Sequence, residues 1–426
     1  MRIAVVGSGI AGLATAWYLQ KSHDVTIFES ADYLGGHTHT HEIDIGGSSY
    51  RVDTGFIVHN PVHYPLLHRL FDELGVASQP TTMSFSVHNP ASGLEYNATT
   101  LDSLFCQRRN LVSPRFLRMV RDLLRFYREA PAVMDLPAPG PTLGDYLAQH
   151  RYGDAFRDEH LVPMVSALWS APPATILSFP MQYLVYFLAN HQMLQTAGRP
   201  QWHVVRGGSN TYVQAMRRDW RVAERIGSAV TAVKREANRV TVTSDGRDAA
   251  FDQVVLACHA DQALRLLSDP SDRETDILGA IRFENNVTTL HTDASLMPRH
   301  PKAWAAWNVR VGPTASHACN VTYCMNLLQG LSSPEPLLVS LNQDAAIDPA
   351  KVLRRMVYAH PVYDIASVTA RGRKAEIQGQ RRTWYAGAYW GWGFHEDGMR
   401  SAVEVARSLG APRFEAAVRG GVGEPA

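Results

Sequence analysis

Gly7-Ser8-Gly9-Ile10-Ala11-Gly12 opens the chemistry of this chain. Gly7 permits a tight turn, Gly9 removes a side chain where a pyrophosphate meets backbone, and Gly12 lets the following helix lie close to the strands. Unpaired N–H groups at the helix start then face the phosphate charge. Residues 2–6 before the turn read as a buried parallel strand, and a helical run follows to about Gln20. A second strand, Asp24 to Phe28, ends at Glu29 beside Ser30. A carboxylate there accepts hydrogen bonds from ribose hydroxyls. Strand, glycine turn, helix, strand and terminal acid together specify a Rossmann unit for an adenine dinucleotide.

The next residues separate NAD from FAD. A second glycine pair follows in Leu34-Gly35-Gly36-His37-Thr38, and Asp53-Thr54-Gly55-Phe56-Ile57-Val58 again brings backbone close to something bulky. A nicotinamide cofactor needs no second glycine loop at that place. The ribityl-isoalloxazine half of FAD does, so the expected cofactor is FAD. The C-terminal cofactor segment has no cysteine, so the FAD is expected to be noncovalent.

These segments resemble the FAD-dependent amine-oxidase superfamily, which includes protoporphyrinogen oxidases and phytoene desaturases. In that family a GG(R/K) loop follows the Rossmann acid; here His37 stands where the cation is usual. The resemblance continues through Trp202–Ser209, Ala229–Val233, Phe251–His259 and Thr383–Ala388. It implies a backbone contact at Val230, cofactor proximity for Cys258 and His259, and a phosphate- and ribityl-side strand at Gly387-Ala388, where alanine replaces the common aspartate. It also implies a helix beginning near Gly398, with Met399 and Ala402, whose positive end faces the flavin pyrimidine ring. Val52 to Asn60 and Trp390 to Gly398 are similar to a bacterial subgroup of NAD/FAD-binding proteins associated with cyclopropane-fatty-acid-synthase-like methyltransferases. That subgroup includes the fatty acyl desaturase of furan fatty acid biosynthesis.

A flavin accepts hydride from carbon or nitrogen, so the surrounding residues must hold a C–H or N–H donor and exclude water. Tyr389, Trp390, Trp392 and His395 lie in the segment expected to pass the ring, with the tryptophans enclosing ring or substrate. His395 is read as a proton-transfer group or a structural histidine, and His59 is a second candidate base. The resemblance implies an oxidoreductase that takes hydride from an unsaturated or methylated acyl chain in phospholipid, leaving a conjugated diene. A double-bond isomerase, an amine oxidase with Lys302 as a candidate, and a noncatalytic flavin scaffold are the alternatives. A lipid methyltransferase is the implied functional partner.

Several separated stretches must converge to build such a site. At 426 residues the chain is too long for one core. The expected fold is α/β: an amine-oxidase-like Rossmann FAD-binding domain drawn from residues 1–75, 200–285 and 375–415. A discontinuous α+β substrate domain is expected from 76–199 and 286–374, with a tail at 416–426. In the first insertion, Arg115, Arg118, Arg121, Arg125 and Arg128 fall on one side of a helix between Pro114 and Pro131. Phe116, Met119, Val120, Leu123 and Tyr127 fall roughly opposite. A solvated basic face and contact with anionic phospholipid both fit. A second helical stretch, Phe179 to Leu194, is either a pocket lining or a packed core.

A formal charge of +1, from 41 basic and 40 acidic residues, argues against nucleic acid as a partner. Four scattered cysteines predict reduced thiols, with neither a disulfide framework nor a metal site. No apolar run approaches the ~20 residues that span a bilayer, and because Met1-Arg2 passes straight into the first strand, no removable signal peptide is expected. The expected location is cytoplasmic, peripheral at most to the inner membrane face.

Overall fold

The computed structural model describes residues 1–312 and 319–411. The tail at 416–426 and the end of the 375–415 stretch lie outside them. Arg2–Val6 is apolar after its first residue and is covered on both faces, as a central parallel strand requires. It pairs in parallel with Asp24–Phe28 on one side and Gln253–Leu256 on the other. Ala223–Arg225 and Thr383–Tyr385 complete a five-stranded parallel sheet. Val6 stands opposite both Phe28 and Leu256, so Gly7 leaves the sheet at its carboxyl edge between two neighbours. Open parallel sheets bind ligands at such an edge.

Helix Ile10–Leu19 is buried at every residue. The sheet lies on one side of it and helix His395–Ser408 on the other, within one apolar cluster. Three stretches remote in sequence therefore share one core.

The other half is a seven-stranded mixed sheet in the order Val352–Pro361, Phe283–His291, Leu338–Leu341, Val321–Cys324, Trp307–Arg310, Phe85–Asn89, Leu94–Asn97. The two insertions meet inside it, where Trp307–Arg310 runs parallel to Phe85–Asn89. Strand Phe283–His291 crosses the boundary read at 285/286, so the division falls within an element. Helices Pro114–Glu129, Val162–Trp169 and Met181–Asn190 pack with Val87, Leu94 and Tyr96 of this sheet in a second core.

Local chemistry explains several element ends. The Ser113 hydroxyl accepts from Phe116 N–H ahead of Pro114, and the Thr142 hydroxyl accepts from Asp145 N–H to start Leu143–Gln149. Three expectations shift. Phe179–Leu194 is helical only over Met181–Asn190, because Pro180 sets its start. Phe251–His259 divides at Asp252 into Arg247–Phe251, part of an antiparallel sheet, and Gln253–Leu256 of the parallel one. The last helix begins at His395, three residues before Gly398, with Asp397 accepting from Phe394 N–H at 2.9 Å.

Along Pro114–Glu129, Arg115, Arg118, Arg121 and Arg128 are exposed. Arg125 is not part of a free basic face: it pairs with Glu129 at 2.8 Å and lies 4.4 Å over the Tyr152 ring. All four cysteines are free thiols. Among the described residues no helix is long and apolar enough to cross a membrane, and no His/Cys/Asp/Glu group could hold a metal.

Candidate cofactor and active site

The turn at residues 7–9 is built for close approach. Gly7 has φ +101°, and a Cβ there would meet the Ala257 carbonyl oxygen at 2.8 Å. A Cβ on Gly12 would stand 1.9 Å from the Gly7 carbonyl oxygen, so Gly12 serves helix packing. Gly9 differs: nothing lies within 4 Å of its Cβ direction. The second loop packs directly on the first, with Gly35 N–H donating to the Ser8 carbonyl at 3.1 Å and a Cβ on Gly36 falling 2.9 Å from Gly9 Cα.

Glu29 braces this turn. Its Oε2 accepts from Ser8 N–H at 2.9 Å and the Ser8 hydroxyl at 2.5 Å. Its Oε1 accepts from Ala31 N–H at 2.9 Å and the Ser30 hydroxyl at 3.2 Å.

A single cavity of about 1460 Å³ runs from this turn into the second half of the molecule. It exceeds the ~300–1,000 Å³ of sites holding one small ligand, which leaves room for a large cofactor and a substrate together. Gly7, Ser8, Gly9, Ile10, Ala11, Glu29, Ser30, Gly36 and His37 line its sheet-edge end. Thr54, Gly55, Phe56, Ile57, Val230, Cys258, His259, Gly387 and Ala388 line it as well. The buried His37 Nε2 and Tyr389 hydroxyl have no protein partner among the described residues. Open space beside Gly9, free amides at a helix start and two orphaned polar groups in the wall fit a dinucleotide carrying a polar ring.

The His37 imidazole is held well below its usual pKa by burial, then by neighbouring His360, His259 and His395, and is neutral. It can donate a hydrogen bond to a phosphate but supplies no positive charge. Its backbone carbonyl accepts from Phe56 N–H at 2.7 Å and excludes a side chain at Gly55, where a Cβ would come within 2.2 Å.

Other expected residues stand apart from the cavity. Gly12 and Gly35 support the two turns. Gly398, Met399 and Ala402 face helix Ile10–Leu19: a Cβ on Gly398 would meet Ile10 Cγ2 at 2.6 Å, and the other two are fully buried in the shared core. Helix packing, not ring contact, is therefore what their small size and apolarity serve. Phe394 and His395 are the residues of that helix start that reach the cavity.

The aromatic run divides likewise. Tyr389 and Trp392 line the cavity, the latter packed against Phe187 and His191. Trp390 is turned away, donating its indole N–H to the Tyr385 carbonyl at 3.2 Å and packing on the core behind the sheet. It does not enclose ring or substrate. His59 lies behind the wall, its Nδ1 2.8 Å from His68 Nε2 and its Nε2 3.3 Å from the Ser78 hydroxyl. It does not itself line the cavity. Lys302 is half-exposed and paired with Asp102 at 2.7 Å, outside the cavity.

His395 stacks on Phe56 with centroids 3.6 Å apart, and its Nε2 sits 3.1 Å from the Thr38 hydroxyl. Burial and nearby His59 hold it down at about 3, so it is a neutral ring.

The rest of the wall includes Phe187, His191 and Met193 of the stretch read as a pocket lining or a core, together with residues not foreseen from the sequence. Tyr358 and His360, alternating on strand Val352–Pro361, stand beside His37 at centroid distances of 5.0 and 5.3 Å. Their period-two spacing was the available signal. Beyond them the cavity is walled by Phe85, Leu123, Leu168, Trp169, Phe187 and Leu341, from strands and helices of both insertions. No local motif marks such a set.

Comparison with known proteins bears on this geometry. The family model described as flavin containing amine oxidoreductase matches residues 10–291. The flavin-dependent L-tryptophan oxidase RebO of Lentzea aerocolonigenes is 44% identical over 55 residues, which are 13% of this chain and 12% of that protein. A 1-hydroxycarotenoid 3,4-desaturase of Flavobacterium sp. (strain P99-3) is 42% identical over 74 residues, 17% of this chain and 14% of that protein. The alignments thus span about an eighth of those relatives. Among solved structures, cyclohexylamine oxidase from Brevibacterium oxydans IH-35A superposes with TM-score 0.68 at 16% identity, covering 96% of this chain and 99% of that one. A CLA-producing fatty acid isomerase from P. acnes does so with TM-score 0.64 at 16% identity, covering 95% and 98%. Both likenesses are of fold.

Proposed function

The chain belongs to the flavin containing amine oxidoreductase family, with FAD as its cofactor, and from that premise we propose that it dehydrogenates an unsaturated fatty acyl chain, methyl-branched or not, carried in phospholipid, to a conjugated diene. The observation carrying this reading is the composition of the cavity wall. Among the described residues its only formally charged side chains are Glu29 and Arg265, near the dinucleotide turn and Cys258, and Arg199, far from both. Between them the lining is uncharged, a mainly apolar and aromatic surface with hydroxyls such as Thr81, Ser84 and Ser170 set in it. No carboxylate is present there to fix an ammonium group, whereas a hydrocarbon chain meets complementary surface along the apolar and aromatic part.

FAD, when bound, supplies a two-electron acceptor. The protein's part is to bind, orient and keep water out. Burial of each methylene yields roughly 0.8 kcal/mol, so about ten offer on the order of 8 kcal/mol toward alignment, before entropy is subtracted. Phe56 and His395, stacked on each other, form a rigid flat wall, and Tyr389 and Trp392 add two more aromatic surfaces. His395, neutral and engaged with Thr38, suits a positioning role; a neutral imidazole suffices to take a proton from a carbocation-like chain.

The 1-hydroxycarotenoid desaturase and the fatty acid isomerase support this reading as relatives whose names record chemistry on long unsaturated carbon chains. Double-bond isomerisation remains the related outcome, without net oxidation. The experiment is anaerobic mixing of the holoenzyme with panels of acyl phospholipids and of amines, followed by absorbance. Bleaching of the flavin by unsaturated or methylated acyl lipids is expected. Bleaching by amines alone would overturn the reading.

A further inference from the structure

The cavity opens where the molecule is least typical of a soluble surface. Among the described residues twelve large apolar side chains are exposed, and six of them (Leu101, Leu111, Val112, Leu117, Leu124, Leu136) fall within residues 101–136. Leu101 and Leu124 are 77% and 51% exposed yet also line the cavity. They therefore mark one opening; Val357, 60% exposed and next to Tyr358, lines the cavity elsewhere. Val112, at 80%, and Leu117, at 43%, belong to the same exposed stretch but form no part of the cavity wall.

The arrangement on helix Pro114–Glu129 follows from its period. Leu117 and Leu124 are seven residues apart and share one line along the helix, with Val120 between them. Arg121 and Arg128, four residues on from each leucine, form a parallel line beside them; Arg121 pairs with Asp122 at 3.5 Å and Arg128 with Glu129 at 3.1 Å, yet their side chains stay 69% and 75% exposed. Phe116, Met119 and Phe126 hold the opposite side in the core. Residues 101–136 contain seven arginines against four acids. One of those acids, Asp122, is buried and accepts from Gly153 N–H at 3.0 Å. Arg199 adds a further exposed guanidinium at the mouth, 3.3 Å from the Tyr127 hydroxyl.

We propose that residues 101–136 form a docking surface for an anionic lipid bilayer, set so that the mouth between Leu101 and Leu124 opens against the acyl layer. Exposed leucines beside a line of arginines match the two layers of such a membrane, hydrocarbon below and anionic head groups at its level. The opening of an apolar cavity within this patch gives the contact a purpose: a chain passes from bilayer to site without crossing water. That purpose rests on the acyl-chain reading above; binding to a bilayer is measured without it.

The test is sedimentation of the full-length holoenzyme with vesicles of phosphatidylcholine alone or enriched in phosphatidylglycerol. The wild type is expected to pellet with the phosphatidylglycerol vesicles and far less with phosphatidylcholine. Val112→Glu/Leu117→Glu, outside the cavity, should lower partitioning roughly tenfold or more while retaining FAD. Arg121→Glu/Arg128→Glu should weaken binding only to the anionic vesicles, by about fivefold or more per arginine, from roughly 1 kcal/mol each. Wild type left in the supernatant with both vesicles would overturn the proposal, as would equal binding by Val112→Glu/Leu117→Glu. A dimer that this variant splits, with no vesicle binding, would assign the patch to a second copy of the chain instead. Vesicle binding without flavin bleaching by acyl lipids would leave the docking surface standing and remove the substrate reading. Bleaching by detergent-dispersed lipid without vesicle binding would do the reverse.

Discussion

Gly9 and Gly12 are three residues apart and answer to different neighbours. A Cβ on Gly9 meets no protein atom within 4 Å, so in Gly9→Leu the fold is expected to persist while FAD affinity falls roughly 100-fold, because the side chain occupies the pyrophosphate approach. Replacing Gly12 with valine drives a side chain into the Gly7 carbonyl and is expected to cost roughly 1–3 kcal/mol or more. Flavin titration and thermal unfolding of the two variants should separate these effects; a Gly9→Leu protein with native FAD affinity would contradict the assignment. His395→Gln tests the positioning role: retained FAD and a loss of rate within about tenfold are expected. A loss of several orders of magnitude with unchanged substrate affinity would make His395 an obligate base. These residues were legible in different degrees. The glycines declared themselves by spacing. Trp390 did not, since the short turn at Ala388–Trp390 sends Tyr389 to the cavity and its neighbour to the core behind. Adjacent residues in a turn have no period from which their directions could be read.

Helix His395–Ser408 joins the two halves of the argument. Glu396, in its first turn, accepts from Leu66 N–H at 2.9 Å and Leu67 N–H at 3.0 Å, capping helix Pro65–Leu74 from 330 residues away. Glu396→Ala should lower thermal stability by about 1–2 kcal/mol, as loss of a helix cap does, with FAD still bound. Unchanged stability would show that water replaces the cap. The existence of this helix was implied by the family resemblance near Gly398, but its start was not. Phe394 is the N-cap residue, and an aromatic there carries none of the usual capping signal. His59 was misplaced for a related reason. Its strand, Val58–His59, is two residues long and is held by Trp202–Val205, so its direction depends on a partner far along the chain.

At the scale of the molecule, burial keeps many histidines neutral. His59, His191 and His395 are held at about 3, and His88, His160, His291 and His360 at about 4, desolvation being the first cause in each. Unfolded, they titrate near 6.5. Their contribution to stability is therefore complete above about pH 6.5 and is lost as pH falls toward 4 and then 3. Asp53 and Glu396 work oppositely, raised by burial to about 6 and about 7; they favour the fold in acid and cease to as pH rises through those values. Seven groups outweigh two. Loss of tertiary structure is expected to begin below about pH 6, followed by near-UV circular dichroism, and an intact protein at pH 4 would contradict this. Four strands of the five-stranded sheet were readable from scattered, largely apolar segments, whereas Ala223–Arg225, with Glu224 and Arg225 in it, carries no such signal. The cavity was not, because its wall is assembled from all seven strands of the mixed sheet, strands of the other sheets and several helices, whose facing depends on tertiary packing. The most direct measurement of the account is an anaerobic single turnover with an unsaturated acyl phospholipid, methyl-branched or not, reading flavin absorbance and lipid product together. One conjugated diene formed for each flavin reduced is the expected result; a flavin that stays oxidised while every acyl lipid is recovered unchanged would contradict it.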